Sequence, residues 1–225
     1  NLGTGVVSLP YHNPYHVAQR IVQLDHMTNG RAILGTGPGA LASDAHMLGI
    51  DPLVLRDRQD EGIGVLRRLL AGERLTYECD WFNLYDAKLQ LLPLRGEIPQ
   101  AVASMVSPSG MTLAGKYGMG ILSIGSMSTA GLAALPLQWS FAEESAAKHG
   151  HTMDRGNWRV LMNWHIAETR EQARAEAMQG LHRWHTEYTV GTLQRPGAES
   201  WDSAEETFDN LTGAGGLVIG TPDDL

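Results

Sequence analysis

A chain of 225 residues, 43% hydrophobic and 19% charged, is long enough for one large domain with a sizeable core. A formal charge of −8 without any basic run argues against a nucleic-acid partner, and no apolar stretch approaches the length a membrane-spanning helix needs. Cys79 is the single cysteine, which excludes an internal disulfide and any multi-cysteine metal site and suits a reducing compartment such as the cytoplasm.

Residues 2–9 are apolar and end at Pro10, which predicts a strand. Asn13-Pro14 then supplies a cap and a first-turn proline for a helix in which Val17, Ile21, Leu24 and Thr28 recur at helical spacing, with Asn29-Gly30 as its stop. A second strand over 32–36 runs into Gly35, Gly37 and Gly39, a spacing no helix tolerates. A helix over 55–71 presents Ile63, Leu66, Leu69 and Leu70. Residues 73–99 alternate in short segments and read as a small β excursion.

QAVASMVSPSG reads as a strand that ends in a turn. It leads into a helix over 108–116 with Ser107 as its cap and Pro108 in its first turn. GILSIG is a further strand, followed by a helix over 129–148 with Pro136 as a site for a kink. WRVLMNWHIA is one more strand, and Thr169 caps a helix through residue 188. Residues 190–216, rich in Gly, Pro, Ser and acidic residues, read as a mobile loop and a candidate lid, and LVIG as a short apolar piece. The chain opens inside an apparent strand and stops where Thr221-Pro222 starts a helix, so both ends read as cut from a longer protein.

Strand and helix alternate at least five times, which predicts a parallel sheet with covering helices, either doubly wound or a (β/α)8 barrel. No repeat or linker interrupts it, so residues 1–225 read as a single domain. Free N–H groups at the helix after Ser107, with the Ser107 and Ser109 hydroxyls, form a candidate anion site. GTGPGA at 35–40 also fits a dinucleotide fingerprint. Against that, Pro38 sits awkwardly in the tight turn, and Asp57 and Asp60, the acidic residues near the ribose spacing, fall in a helix. His12 follows the first strand, where barrel sites are built. His16, His26, His46, His149, His151, His182 and His185 read as helix, loop or turn residues. Neither a zinc signature nor a nucleophile elbow is present in the sequence.

Taken in order, LGTGVVSLPYHNPYHVAQRIVQLDHMTNGRAILGTGPG, SDAHMLGID, VASMVSPSGMTLAGKYGMGILS and VIGTP resemble the bacterial luciferase-like flavin monooxygenases, and in fine pattern their limonene monooxygenase-like branch. The resemblance implies a (β/α)8 TIM barrel of which this chain holds the third to seventh strands. It implies reduced FMN, supplied by a separate flavin reductase, that reacts with O2 to a C4a-hydroperoxide. The protein would keep that adduct dry and present it to a small apolar organic substrate, and would form a homodimer.

Carried over residue by residue, Gly5 and Val6 match the strand end whose backbone lies along the isoalloxazine, where a strained or cis peptide is expected. Gly37, Pro38 and Gly39 match the turn beside the flavin and its phosphate. Luciferase has Cys-Arg-Gly there, so this turn lacks a phosphate-pairing cation. Ser107, Ser109 and Gly110 match the phosphate-binding turn, with Val106 in place of an acidic residue, and Asp44 matches an aspartate near the flavin pocket. The histidine the family uses at its second strand has no counterpart, which leaves His12 as the catalytic candidate, a proton donor or substrate-positioning group.

Two alternatives stay open within the resemblance. One is a deazaflavin-dependent oxidoreductase on the same barrel, and the other a non-catalytic flavoprotein or partner subunit. An unrelated sugar-phosphate barrel would need an acid and base paired on strand ends, and these ends are poor in carboxylates.

Overall fold

The first strand is interrupted. In the computed structural model, which describes residues 1–125, 129–193, 198–213, 215 and 217–224, β1 (Leu2–Gly3) and β2 (Val7–Ser8) both pair in parallel with β3 (Ala32–Gly37). The expected continuous strand over 2–9 therefore breaks at Thr4–Val6, where the Gly5–Val6 peptide is cis. A 3-10 turn, Leu9–Tyr11, follows.

The Asn13 side chain accepts from Tyr15 N and starts α1 (Pro14–Met27), which buries Val17, Ala18, Ile21 and Val22. The helix stops because Asn29 and Gly30 turn left-handed, at φ 56° and 74°. Asp25 is buried in α1, yet it accepts from the backbone N–H groups of Ala32 and Leu94, so its carboxylate is held rather than stranded. A short helix that the sequence pattern did not announce, α2 (Ala42–Met47), leads to α3 (Leu55–Leu70). Within 73–99, β4 (Leu75–Glu78) and β5 (Asn83–Ala87) pair antiparallel.

β6 (Gln100–Ser104) pairs in parallel with β3, and β7 (Gly120–Ser123) with β6. Between them runs α4 (Ser109–Tyr117), ended by Gly118 at φ 62°. After α5 (Thr129–His149), β8 (Trp158–Val160) completes the sheet order β1-β3-β6-β7-β8, with β2 also on β3. Leu34, Ile63, Leu66, Val102, Met111 and Ile121 fill the core between this sheet and its helices.

Packing divides the chain into two compact units, 1–123 with 137–159, and 124–136 with 160–225. No linker composition marks the boundaries. In the second unit β9 (Asn163–Ile166) pairs in parallel with β10 (Leu217–Gly220). The single strand expected over WRVLMNWHIA is thus two, β8 and β9. Thr169 accepts from Gln172 N and caps α6 (Arg170–Arg183), as expected. The helix does not continue regularly to residue 188, because the backbone widens to a π-helix over Trp184–Thr192. The expected loop at 190–216 contains α7 (Ala204–Gly213), and its residues 194–197, 214 and 216 lie outside the described residues. No helix of the described residues is long and apolar enough to cross a membrane.

Candidate functional site

The C-terminal ends of β2, β3 and β6 lie side by side in the first unit, through the registers Ser8↔Gly37 and Thr36↔Val102. Ligand sites of parallel α/β sheets form at this end. Beyond β6, Met105 and Val106 stand exposed, and the buried Gln138 of α5 donates to the Met105 carbonyl at 2.6 Å, which fixes the chain there. Trp158 Nε1 donates to Ser123 Oγ at 2.9 Å and steadies the end of β7.

The glycines differ in what surrounds them. A Cβ on Gly37 would come 2.8 Å from Val6 Cγ2, so Gly37 lets the neighbouring strand pack closely. Gly39, at φ 93°, leaves room for the Tyr11 ring. Around Gly5 nothing lies within 4 Å of where a Cβ would stand. Of the three turn glycines, Gly5 alone faces open space. Pro38 joins Gly37 to Gly39 in the same turn. The Tyr11 hydroxyl is buried without a hydrogen-bond partner, and burial, then the Asp44 carboxylate of α2, raise its pKa and keep the phenol protonated. Tyr11 packs against the Gly39 turn, a place that the LPYHNP stretch did not signal.

Ser107 Oγ and Ser109 Oγ lie 2.9 Å apart. The N-cap of α4 is Pro108, with no side-chain cap, rather than Ser107; that leaves the Ser107 hydroxyl beside the helix N-terminus and the first-turn N–H groups without an intrahelical acceptor. Gly110 is there for packing: a Cβ would come 2.6 Å from the Ala103 carbonyl oxygen and 2.9 Å from Ser104 Cα. Ser107 and Ser109 line a cleft of about 350 Å³ together with Arg56, Asp57, Gln59 and Asp60 of α3 and Lys116 of α4, so carboxylates as well as cations border it. Lys116 is taken, since its Nζ lies 2.7 Å from Asp60 Oδ2. Arg56 makes no ion pair among the described residues. Arg56 and Gln59 lie some fifty positions before the serines, so only the fold could bring them there.

A larger cleft of about 1050 Å³ is lined by α3, the β4–β5 hairpin and α4, away from the strand ends, and two of its carboxylates already have partners. Asp60 is bound by Lys116 and Tyr117, and Glu61 by Tyr77 and Trp81.

His12 is exposed, and no hydrogen bond or ring contact ties its side chain to the other candidates among the described residues. Partial burial, then the Arg20 guanidinium of α1, lower its pKa.

A family model described as luciferase-like monooxygenase matches residues 1–225. The chain is 47% identical over 224 residues to limonene 1,2-monooxygenase of Rhodococcus erythropolis, covering 99% of this chain and 56% of that protein. It is also 47% identical to 4-hydroxyprotoasukamycin monooxygenase of Streptomyces nodosus subsp. asukaensis, covering 99% of this chain and 61% of that one. The chain thus spans less than two thirds of the length of either. The fold resembles the oxygenating constituent of 3,6-diketocamphane monooxygenase of Pseudomonas putida, a type II Baeyer-Villiger monooxygenase solved with FMN, at a TM-score of 0.76 and 24% identity, covering 99% of this chain and 66% of that one.

Proposed function

The chain belongs to the luciferase-like monooxygenase family, and from this premise we propose that the protein carrying it is a flavin-dependent monooxygenase that uses reduced FMN and O2 to oxygenate a small apolar organic substrate. The arc β1/β2-β3-β6-β7-β8 is then part of an eightfold barrel.

The observation that carries the reading is the donor set at α4. Two hydroxyls, a helix N-terminus and Arg56 border one cleft, and such groups bind phosphate; of the carboxylates on the same cleft, Asp60 is neutralised by Lys116, while Asp57 stands exposed one residue from Arg56. FMN, when bound and reduced, supplies the electrons that activate O2. Ser107, Ser109 and Arg56 hold its phosphate. Gly110 lets α4 abut β6 so that the helix N-terminus reaches the cleft. Gly5 and Val6 offer backbone and open space to the ring system, and the Gly37-Pro38-Gly39 turn borders it, with Asp44 behind Tyr11. Met105 and Val106 supply apolar surface from which water is excluded. His12 positions substrate or passes a proton at the rim. A flavin reductase as electron donor, a homodimer and a cytoplasmic site belong to the same proposal.

The test is isotopic. The whole protein, with enzymatically reduced FMN and an apolar terpene in ¹⁸O2, yields product carrying one labelled oxygen. Absence of FMN binding at micromolar concentration, or hydride transfer from a reduced deazaflavin without O2, would overturn the proposal.

A further inference from the structure

One face of the sheet in the first unit carries small side chains. Leu34 of β3 and Val102 of β6 point into the core beneath the helices, so Gly35, Gly37, Ala101 and Ala103 stand on the opposite face. The spacings agree: a Cβ on Gly37 would lie 3.6 Å from Ala103 Cβ and 2.8 Å from Val6 Cγ2, and one on Gly120 would lie 3.6 Å from Ala101 Cβ. Met105, two positions beyond Ala103, is the next residue due on that face and the first large one that this strand sends there. Its side chain stays exposed, yet its backbone is fixed. The Met105 carbonyl accepts from Gln138 Nε2 at 2.6 Å and, more loosely, from Ser104 Oγ at 3.4 Å. Gln138 is 3% exposed in α5, so a buried amide is committed to holding the backbone of an exposed apolar residue.

We propose that Met105 is a specificity-determining residue, the side chain that limits how large an apolar substrate can stand over this face, and that Gln138 is the positioning residue that keeps it there. The inference rests on the proposed flavin reading and adds to it the residue that sets substrate size. Small residues lower the floor beside Gly5 and Val6, where open space is offered to the flavin ring, and Met105 is the bulk at the end of that floor. Methionine suits the place, because an unbranched thioether packs against apolar ligands of varied shape. A methionine on a loose backbone would swing aside for any ligand. With its carbonyl held from behind by Gln138, only the side-chain rotors remain free, and the restriction falls at one fixed position. A single methylene in an apolar pocket changes discrimination by about tenfold or more, so removal or enlargement of this side chain has a measurable scale.

The experiment measures binding of two apolar probes, methylcyclohexene and hexylcyclohexene, to the whole protein loaded with oxidised FMN. Headspace gas chromatography reads these affinities without turnover, in wild type, Met105→Ala, Met105→Trp and Gln138→Met. Met105→Ala raises the ratio of hexyl to methyl affinity by about tenfold, and Met105→Trp lowers it by about as much. Gln138→Met raises the ratio by about threefold, because the Met105 side chain is present but no longer held. With reduced FMN and O2, the kcat/KM ratios for the two probes follow the same order. A ratio unmoved in both Met105 variants overturns the proposal, and one unmoved in Gln138→Met overturns the part given to Gln138. A loss shared equally by both probes assigns these residues to packing and overturns it too. Wild-type protein that binds neither FMN nor either probe overturns the flavin reading and this inference together, whereas one that binds all three with an unmoved ratio overturns this inference alone. Met105 is partly exposed, so its substitution leaves no sealed cavity, and thermal melts confirm that all three variants fold.

Discussion

The Thr4 hydroxyl clasps both backbone groups of Gly35: it accepts from Gly35 N and donates to Gly35 O, each at 2.9 Å. This side chain does the work of the ladder where β1 breaks off and β2 has not begun. A Cβ on Gly35 would run into the Thr4 carbonyl oxygen, so the contact needs glycine on one side and a hydroxyl on the other. Thr4→Val keeps the shape, loses both bonds and leaves two backbone groups unpaired, which costs about 1–3 kcal/mol. Thr4→Ser retains most of the stability. Denaturant unfolding measures both, and a valine variant as stable as wild type would contradict the clasp.

That break also shows what a sequence can and cannot reveal. α1 was legible because Asn13-Pro14 and Asn29-Gly30 bracket it with residues whose backbone preferences act locally, and the Thr169 cap was legible for the same reason. The gap between β1 and β2 was not, because LGTGVVSL stays small and apolar throughout and nothing in it marks a change of pairing. The π-helix at Trp184–Thr192 continues α6 without a breaker residue. In the candidate site, Ser107 and Ser109 stand out in the sequence because they lie between strand and helix. Arg56, Gln59 and Tyr11 acquire their places only when α3 and the Leu9–Tyr11 turn fold against distant strands.

Tyr117 ties α4 to α3 through its hydroxyl, which donates to Asp60 Oδ1 at 2.7 Å. Burial, followed by the hydrogen bond to Asp60, pushes its pKa far above the ordinary tyrosine value. The neutral phenol is therefore favoured in the folded state. Its stabilisation is fully present below the unfolded value of about 10 and falls as pH rises toward the folded value. Ultraviolet titration finds Tyr117 ionising later than an exposed tyrosine. Tyr117→Phe costs about 1 kcal/mol at neutral pH and flattens the alkaline loss of stability. An unchanged alkaline slope in that variant would assign the slope elsewhere.

His12 titrates below an ordinary histidine, because partial burial and then Arg20 disfavour its charged form. A histidine with a depressed folded pKa weakens the fold as pH drops through the unfolded value of about 6.5, where the unfolded chain binds the proton more readily. Proton-detected NMR places the His12 midpoint below that value. Arg20→Gln raises it only partway, since burial is the larger cause. If His12 passes a proton during oxygenation, His12→Gln leaves flavin affinity intact, raises peroxide release and removes a step from the pH profile. Unchanged product yield at every pH would end its candidacy.

Arg56 is exposed and has no partner among the described side chains, so its pull on a phosphate acts partly through solvent. Such an attraction is screened over about 10 Å at 0.1 M salt. FMN binding to the wild type therefore weakens as salt is raised, whereas riboflavin, which lacks the phosphate, shows no such trend. Arg56→Ala lowers FMN affinity by about tenfold at low salt and flattens the salt dependence, because a charge-assisted hydrogen bond is lost while the serine hydroxyls and the helix N-terminus remain. Arg56→Lys keeps the charge but not the planar fork, so it retains the salt dependence and only part of the affinity. Titrations of FMN and riboflavin at several salt concentrations decide the matter. Should Arg56→Ala keep the wild-type salt slope, the cation that meets the phosphate is a different residue.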